Sequence, residues 1–178
     1  DSAVITCDAS SFSIKTLDAE DFPGFPHVDT QQAISIPFSQ FSSMVKRVAR
    51  VVSKDESRAI LTGVLITFEG ETLKMVATDS YRLAITDAPL PNSSAEPAAE
   101  GFQAVISGSF LQELASLTRT DDPLTIALAE NQIVVTYHDT VFINRRIEGN
   151  FPNYRQLLPD SYATRVRLNV SHLVSGVK

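Results

Sequence analysis

The 178-residue sequence has a single cysteine, three histidines and fewer cations than acids. A lone Cys7 excludes an internal disulfide, and its place in Val4-Ile5-Thr6-Cys7 reads as a strand residue, so a reducing, cytoplasmic compartment is expected. His27, His138 and His172 fall in different elements, without His-x-x-x-His or Cys-x-x-Cys spacing and without a carboxylate cluster beside them. Neither a metal site nor a cofactor is therefore expected. Phosphate-cradling Gly-rich loops and a Gly-x-Ser-x-Gly elbow are also missing. So is any run of about 18 apolar residues that would span a bilayer, and no charged-then-apolar leader precedes a cleavage site, so no signal peptide is expected. With 15 Lys and Arg against 21 Asp and Glu, the net charge of −6 argues against gripping nucleic acid with the whole surface. What remains open is how the few cations are distributed.

The densest information lies between Arg58 and Leu83. Two apolar runs, Leu61, Val64, Leu65, Ile66 and Phe68, then Leu73, Met75 and Val76, flank Glu69-Gly70-Glu71 and read as a β-hairpin. The hairpin leads into the octet Ala77-Thr78-Asp79-Ser80-Tyr81-Arg82-Leu83-Ala84, which mixes hydroxyls, a carboxylate, an aromatic ring and a guanidinium between apolar ends. The plain reading is a turn between two strands. A second is an apolar pocket with a polar lip, because those polar groups must face water or find partners. A third is a small enzyme with its active site at Thr78-Asp79-Ser80, but no base of suitable pKa stands beside the hydroxyls.

Along the chain, residues 3–7 and 11–16 read as two strands around Asp8-Ala9-Ser10-Ser11, too few to form a stable sheet alone, and 18–30 has linker composition. After the strand Ala33–Ile36, Pro37 opens a helix over 37–53 in which Phe38, Phe41, Val45, Val48 and Val52 recur at spacings of 3 and 4. These occupy a sector of roughly 80°, and Lys46, Arg47, Arg50 and Lys54 a sector of roughly 100° almost opposite. A charge run is usually a solvated face. This one carries no acid until Asp55, so in an acidic protein it is the best candidate for sequence-independent contact with phosphate. Residues 91–101 read as a loop. The strand 101–106 precedes a helix with Phe110, Leu111, Leu114 and Leu117 and a capping box of Ser109 and Gln112, and strands follow at 124–129, 133–137 and 141–147. A strand-helix-strands unit thus repeats after 70 residues. A third copy starts 62 residues further on, at Val166-Arg167-Leu168-Asn169, with Ser171 as helix cap.

Three segments carry a resemblance: Asp55–Val64, the octet Ala77–Ala84, and Glu148-Gly149-Asn150-Phe151-Pro152-Asn153-Tyr154 with Leu157-Leu158-Pro159. In this order they resemble the central-domain signatures of the bacterial sliding clamp, the beta subunit of DNA polymerase III, and Ala19–Pro23 resembles the family's exit from its first domain. The resemblance implies an α+β DNA-clamp fold: a two-fold internal repeat, antiparallel sheets outside and two helices on the inner face, with three domains per subunit and two subunits per ring. It divides the chain into closing strands of domain 1 (1–18), a linker (19–30), a complete domain 2 (31–157), a second linker (158–163) and the start of domain 3 (164–178). It implies a non-catalytic processivity factor, with weakly held duplex DNA as one partner. DNA polymerase III alpha, clamp-loader subunits and repair proteins would be the others, bound through linear peptides. Carried over, the peptide pocket is Leu61, Thr78, Ser80, Tyr81, Arg82, Leu83, Pro152, Gln156 and Leu157, and the DNA-facing set is Lys46, Arg47, Arg50, Lys54 and Arg58. Tyr81 and Gln156 stand where relatives vary, Ser107-Gly108-Ser109 lacks the cations that some relatives carry, and the tail that completes the family's pocket is absent. A monomer that does not close a ring by itself is expected.

Overall fold

The computed structural model describes residues 2–21, 24, 33–69, 71–90, 103–117, 122–129 and 131–177. Most of the 18–30 linker, the 91–101 loop, His27, Gly70 and Asp121 lie outside them. Strands β1 (Ser2–Cys7) and β2 (Ser10–Lys15) pair antiparallel across the predicted turn and form a sheet of their own, every residue exposed.

The two central units follow as predicted in order. The first comprises β3 (Ile34–Pro37), α1 (Phe38–Val48), a 3₁₀ segment (Glu56–Thr62), β4 (Gly63–Glu69), β5 (Thr72–Thr78) and β6 (Leu83–Pro89). The second comprises β7 (Gln103–Ser107), α2 (Gly108–Ala115), β8 (Pro123–Leu128), β9 (Gln132–Tyr137) and β10 (Thr140–Arg145). Each unit lends its first strand to the other. One sheet has the order β6-β5-β4-β7, the other β10-β9-β8-β3, and both are antiparallel throughout. A single bridge, Ile106 to Arg146, and the Ile147 amide on the Val105 carbonyl at 2.8 Å join the two at the β7 edge.

Both helices lie on one side. α1 packs on α2 and reaches β5 and β6 of one sheet and β3 and β8 of the other. Its apolar stripe is fully removed from water at Phe38, Phe41, Val45 and Val48, and Phe38 stacks on Tyr137 with ring centroids 4.6 Å apart. Burying each such side chain contributes about 1.5–3 kcal/mol, so this stripe anchors the helix far more firmly than its propensity does.

Four local expectations differ. α1 stops at Val48 rather than continuing to residue 53, because the β-branched pair Val51-Val52 disfavours helix and other partners claim the backbone there. Gln112 Nε2 donates to the Ala49 carbonyl at 2.8 Å, and the Ser53 amide to the Leu61 carbonyl at 2.8 Å. For the same reason Gln112 does not close a capping box, and the cap of α2 is Ser107, not Ser109. Residues 166–169 form no strand and pair with none of the described strands. The third helix, α3 (Val170–Gly176), is capped by Asn169, whose Oδ1 accepts from the Ser171 amide and hydroxyl.

Gly63, which pairs with Ser107 of β7, has no room for a side chain: an added Cβ would lie 2.4 Å from Val105 Cγ1 and 2.9 Å from Ile147 Cδ1. Gly63→Ala should therefore destabilise by about 1–3 kcal/mol in denaturant unfolding. Gly176→Ala, with nothing within 4 Å, should leave the midpoint unchanged or slightly raised.

Candidate functional site

Two surfaces matter, and both are set by how this framework uses its faces. On the helix side, Lys46 and Arg47 occupy the exposed last turn of α1, where cations complement the helix dipole. Arg50 and Lys54 are also exposed but lie beyond the helix, in the turn and loop that follow it. None of these four is ion-paired among the described residues. A recess of about 520 Å³ is lined by Lys46, Arg47 and Arg50 with Ser39, Ser42 and Ser43. A second, of about 580 Å³, runs from Arg50 and Lys54 to Ser107 and Ser109 at the start of α2. Arg58 differs from the others. Its Nε meets Asp55 Oδ2 at 3.1 Å and its Nη1 donates to Ser80 Oγ at 3.2 Å.

On the sheet's other side lies a second apolar cluster, and the period of two along each strand explains it. Val64, Ile66 and Phe68 of β4, Met75 and Ala77 of β5 and Ala104 and Ile106 of β7 face the helices. Leu65, Val76 and Val105 point the opposite way and are covered by Tyr154, with Ile60, Leu83, Ile147 and Phe151 partly buried around them. Both faces of this sheet therefore carry an apolar cluster, which is why Val64-Leu65-Ile66 is apolar without interruption. The cover is the chain from Ile147 to a short 3₁₀ turn, Tyr154–Leu157.

The octet forms the tight connection from β5 to β6, held by Asp79. Its Oδ1 accepts from the Tyr81 and Arg82 amides at 2.9 and 2.8 Å, and Oδ2 from Arg82 Nε at 3.0 Å. Ser80 takes a left-handed φ of 77°. The amides of Arg82 and Tyr81, and then the Arg82 guanidinium, hold the Asp79 carboxyl below its ordinary pKa. That is the reverse of what a general base at neutral pH needs, and the structure gives the enzyme reading of Thr78-Asp79-Ser80 no support.

The predicted pocket residues divide sharply. Leu83 is half-buried in the cluster with Tyr154, while Pro152, Gln156 and Leu157, which flank Tyr154 in the chain, are exposed. Tyr81 is 92% exposed. Leu61 and Thr78, however, are buried at 5% and 3%. The Thr78 hydroxyl donates to the Arg82 carbonyl at 2.7 Å and accepts from the Ser80 amide at 3.1 Å, so it shapes the turn rather than presenting a free anchor at a rim. The octet and the cationic strip also meet. Arg82 Nη2 lies 3.4 Å from the Arg50 carbonyl and Arg58 donates to Ser80, so the octet and the cationic strip share a hydrogen-bonded seam. Sequence reasoning missed Ile60, Phe151 and Tyr154 as cover for the sheet, and Asp79 as the keystone of the turn. The doubly apolar parity of β4 was the available signal.

Residues 35–153 match the family model for the DNA polymerase III beta subunit, central domain. The chain belongs to the DNA polymerase III beta subunit family. It is 28% identical to the beta sliding clamp of Synechocystis over 98% of this chain and 47% of that protein. To the beta sliding clamp of Bacillus subtilis it is 29% identical over 98% of this chain and 45% of that protein. The crystal structure of the Bacillus subtilis DNA polymerase sliding clamp superposes with a TM-score of 0.77 at 30% identity, over 90% of this chain and 41% of that one. A structure from Eubacterium rectale, at 24% identity, shares the fold with a TM-score of 0.80. The chain thus spans less than half the length of these relatives. Its α+β architecture, antiparallel sheets with two helices on one side, is that of the family.

Because the folded-state pKa of Asp79 is depressed, its contribution to the turn is complete above the unfolded carboxylate value of about 3.9 and is lost as pH falls through the lower folded value. An NMR titration should show the Tyr81 and Arg82 amides unchanged at pH 5 and moving only in stronger acid. Asp79→Asn should shift both amides at neutral pH.

Proposed function

We propose that this chain contributes the middle domain, residues 31–157, of a sliding clamp that encircles duplex DNA and tethers partner proteins without catalysing a reaction itself. Residues 1–18 and 164–178 then belong to the neighbouring domains, 19–30 and 158–163 link them, and the whole works as a ring of two subunits in the cytoplasm. The observation that carries the reading is the family match over residues 35–153, which includes the whole cationic strip and the octet. The exposed Lys46, Arg47, Arg50 and Lys54 would meet phosphate oxygens irrespective of sequence, and Arg58, held by Asp55 and Ser80, would stand at the edge of that contact. Four cations on an acidic body give weak, salt-sensitive attraction, which suits a ring held on DNA by its closed topology.

The other surface suits a short linear peptide with a hydrophobic tail, of the kind that DNA polymerase III alpha and clamp-loader subunits would supply. Leu83, Pro152 and Leu157 offer apolar contact, Tyr81 a large exposed ring, and Ser80, Arg82 and Gln156 polar groups at the margin. Leu61 and Thr78 act from beneath, by packing and by shaping the turn.

The two surfaces are tested separately in the full-length protein. Removing two phosphate-contacting cations in Lys46→Ala/Arg47→Ala should lower the slope of log affinity for random-sequence duplex against log salt by about 1.8. A fluorescein-labelled octapeptide ending in Leu-Phe should bind the native protein, and Leu157→Asp should weaken it by roughly tenfold or more. An unchanged salt slope sinks the DNA assignment. Equal peptide affinity of Leu157→Asp and native protein sinks the pocket.

A further inference from the structure

The 3₁₀ turn Tyr154–Leu157 carries two of the proposed pocket residues, yet its own backbone bonds are local: the Tyr154 amide to the Pro152 carbonyl, Gln156 to Asn153 and Leu158 to Arg155. Two side chains attach it to the sheet. One is the Tyr154 ring, seated in the cluster with Leu65, Val76 and Val105. The other is Arg155, whose Nη2 reaches Glu69 Oε1 across a sequence separation of 86 residues. Among the described residues this is the only polar tie from residues 151–158 to a strand. Glu69 ends β4 in the β4–β5 hairpin, and its other oxygen, Oε2, accepts from Lys74 Nζ at 2.6 Å. One carboxylate therefore holds two cations, one from the neighbouring strand and one from the turn.

We propose that Glu69 is a positioning residue for the peptide surface: by gripping Arg155 it sets where Gln156 and Leu157 stand relative to Leu83. This inference rests on the peptide-binding reading above. An aromatic ring in an apolar cluster fixes depth but leaves the turn free to pivot about it, since dispersion contacts are non-directional. A guanidinium on a carboxylate at a second point removes that pivot. Both partners are well exposed, at 66% and 43% of the side chain, and exposed pairs contribute little to global stability. The clasp thus sets geometry rather than supporting the fold. Lys74 neutralises part of the Glu69 charge, and with it holds the Glu69 carboxyl below its ordinary pKa together with Arg155, so the carboxylate stays ionised at neutral pH.

The test is a charge-reversal cycle in the full-length protein, read by anisotropy of the fluorescein-labelled octapeptide ending in Leu-Phe, with thermal unfolding alongside. Glu69→Arg and Arg155→Glu should each weaken binding by roughly 5-fold without moving the unfolding midpoint. The double reversal, which restores an opposite-charge pair between positions 69 and 155, should return affinity to within about 2-fold of native. Single reversals that bind like the native protein, or a double reversal no better than the singles, would overturn the clasp. If native protein binds and Leu157→Asp does not, while the reversals are neutral, the clasp alone fails. A native protein that binds no peptide overturns the pocket and the clasp together.

Discussion

Everything in the central domain depends on an exchange of strands between its two halves. Neither β4-β5-β6 nor β8-β9-β10 is complete alone; each gains its fourth strand from the start of the other unit. Because β3 runs straight into α1 and β7 straight into α2, the exchange carries each helix to the same side and brings the two into contact. The cationic strip owes its position to this. Lys46 and Arg47 face outward because Phe41, Val45 and Val48 are drawn into a core that both sheets share.

A second consequence is that the sheet β6-β5-β4-β7 must be sealed on its other face too. Val105 arrives with the exchanged strand β7 and, beside Leu65 and Val76, completes an apolar patch that the chain after β10 returns to cover. Tyr154 and Phe151 do this incompletely, leaving Leu83 half-buried and Leu157 62% exposed. What results is an apolar patch closed at its centre and open at its margin, and it arises from the same pairing that builds the core.

Much of this was legible in the residues. Spacings of 3 and 4 from Phe38 to Val48 place the helix and its buried stripe, and the 70-residue recurrence marks the duplication. The exchange itself was not legible, because pairing between strands distant in sequence, such as Gly63 with Ser107 or Ile34 with Ile126, leaves no local pattern: β3 reads the same whether it pairs with β4 or β8. The end of α1 was misplaced for a related reason. Gln112, 63 residues away, accommodates the Ala49 carbonyl, and no helix-stop residue announces that. At the pocket, residue type alone could not separate Leu61, buried beneath, from Leu157, exposed above. That distinction depends on which segment lies outermost.

The seam between the two surfaces carries the remaining argument. In the octet, Asp79 engages two backbone amides and the Arg82 guanidinium, which leaves Arg82 Nη2 in reach of the Arg50 carbonyl. Arg58, gripped by Asp55, extends to the hydroxyl of Ser80 in the same turn. The side chains at the junction are thus oriented by acids and backbone carbonyls of their own domain, whereas Lys46 and Arg47 have no such partner among the described residues. A cation held by a carboxylate is poorly placed to be drawn away by a passing phosphate, because the exchange gains little Coulomb energy while costing the original pair. On the proposed reading, contact with phosphate would fall to the unpaired cations of α1 and the turn after it. Arg58 and Arg82 instead keep the octet in shape, through Ser80 and Asp79.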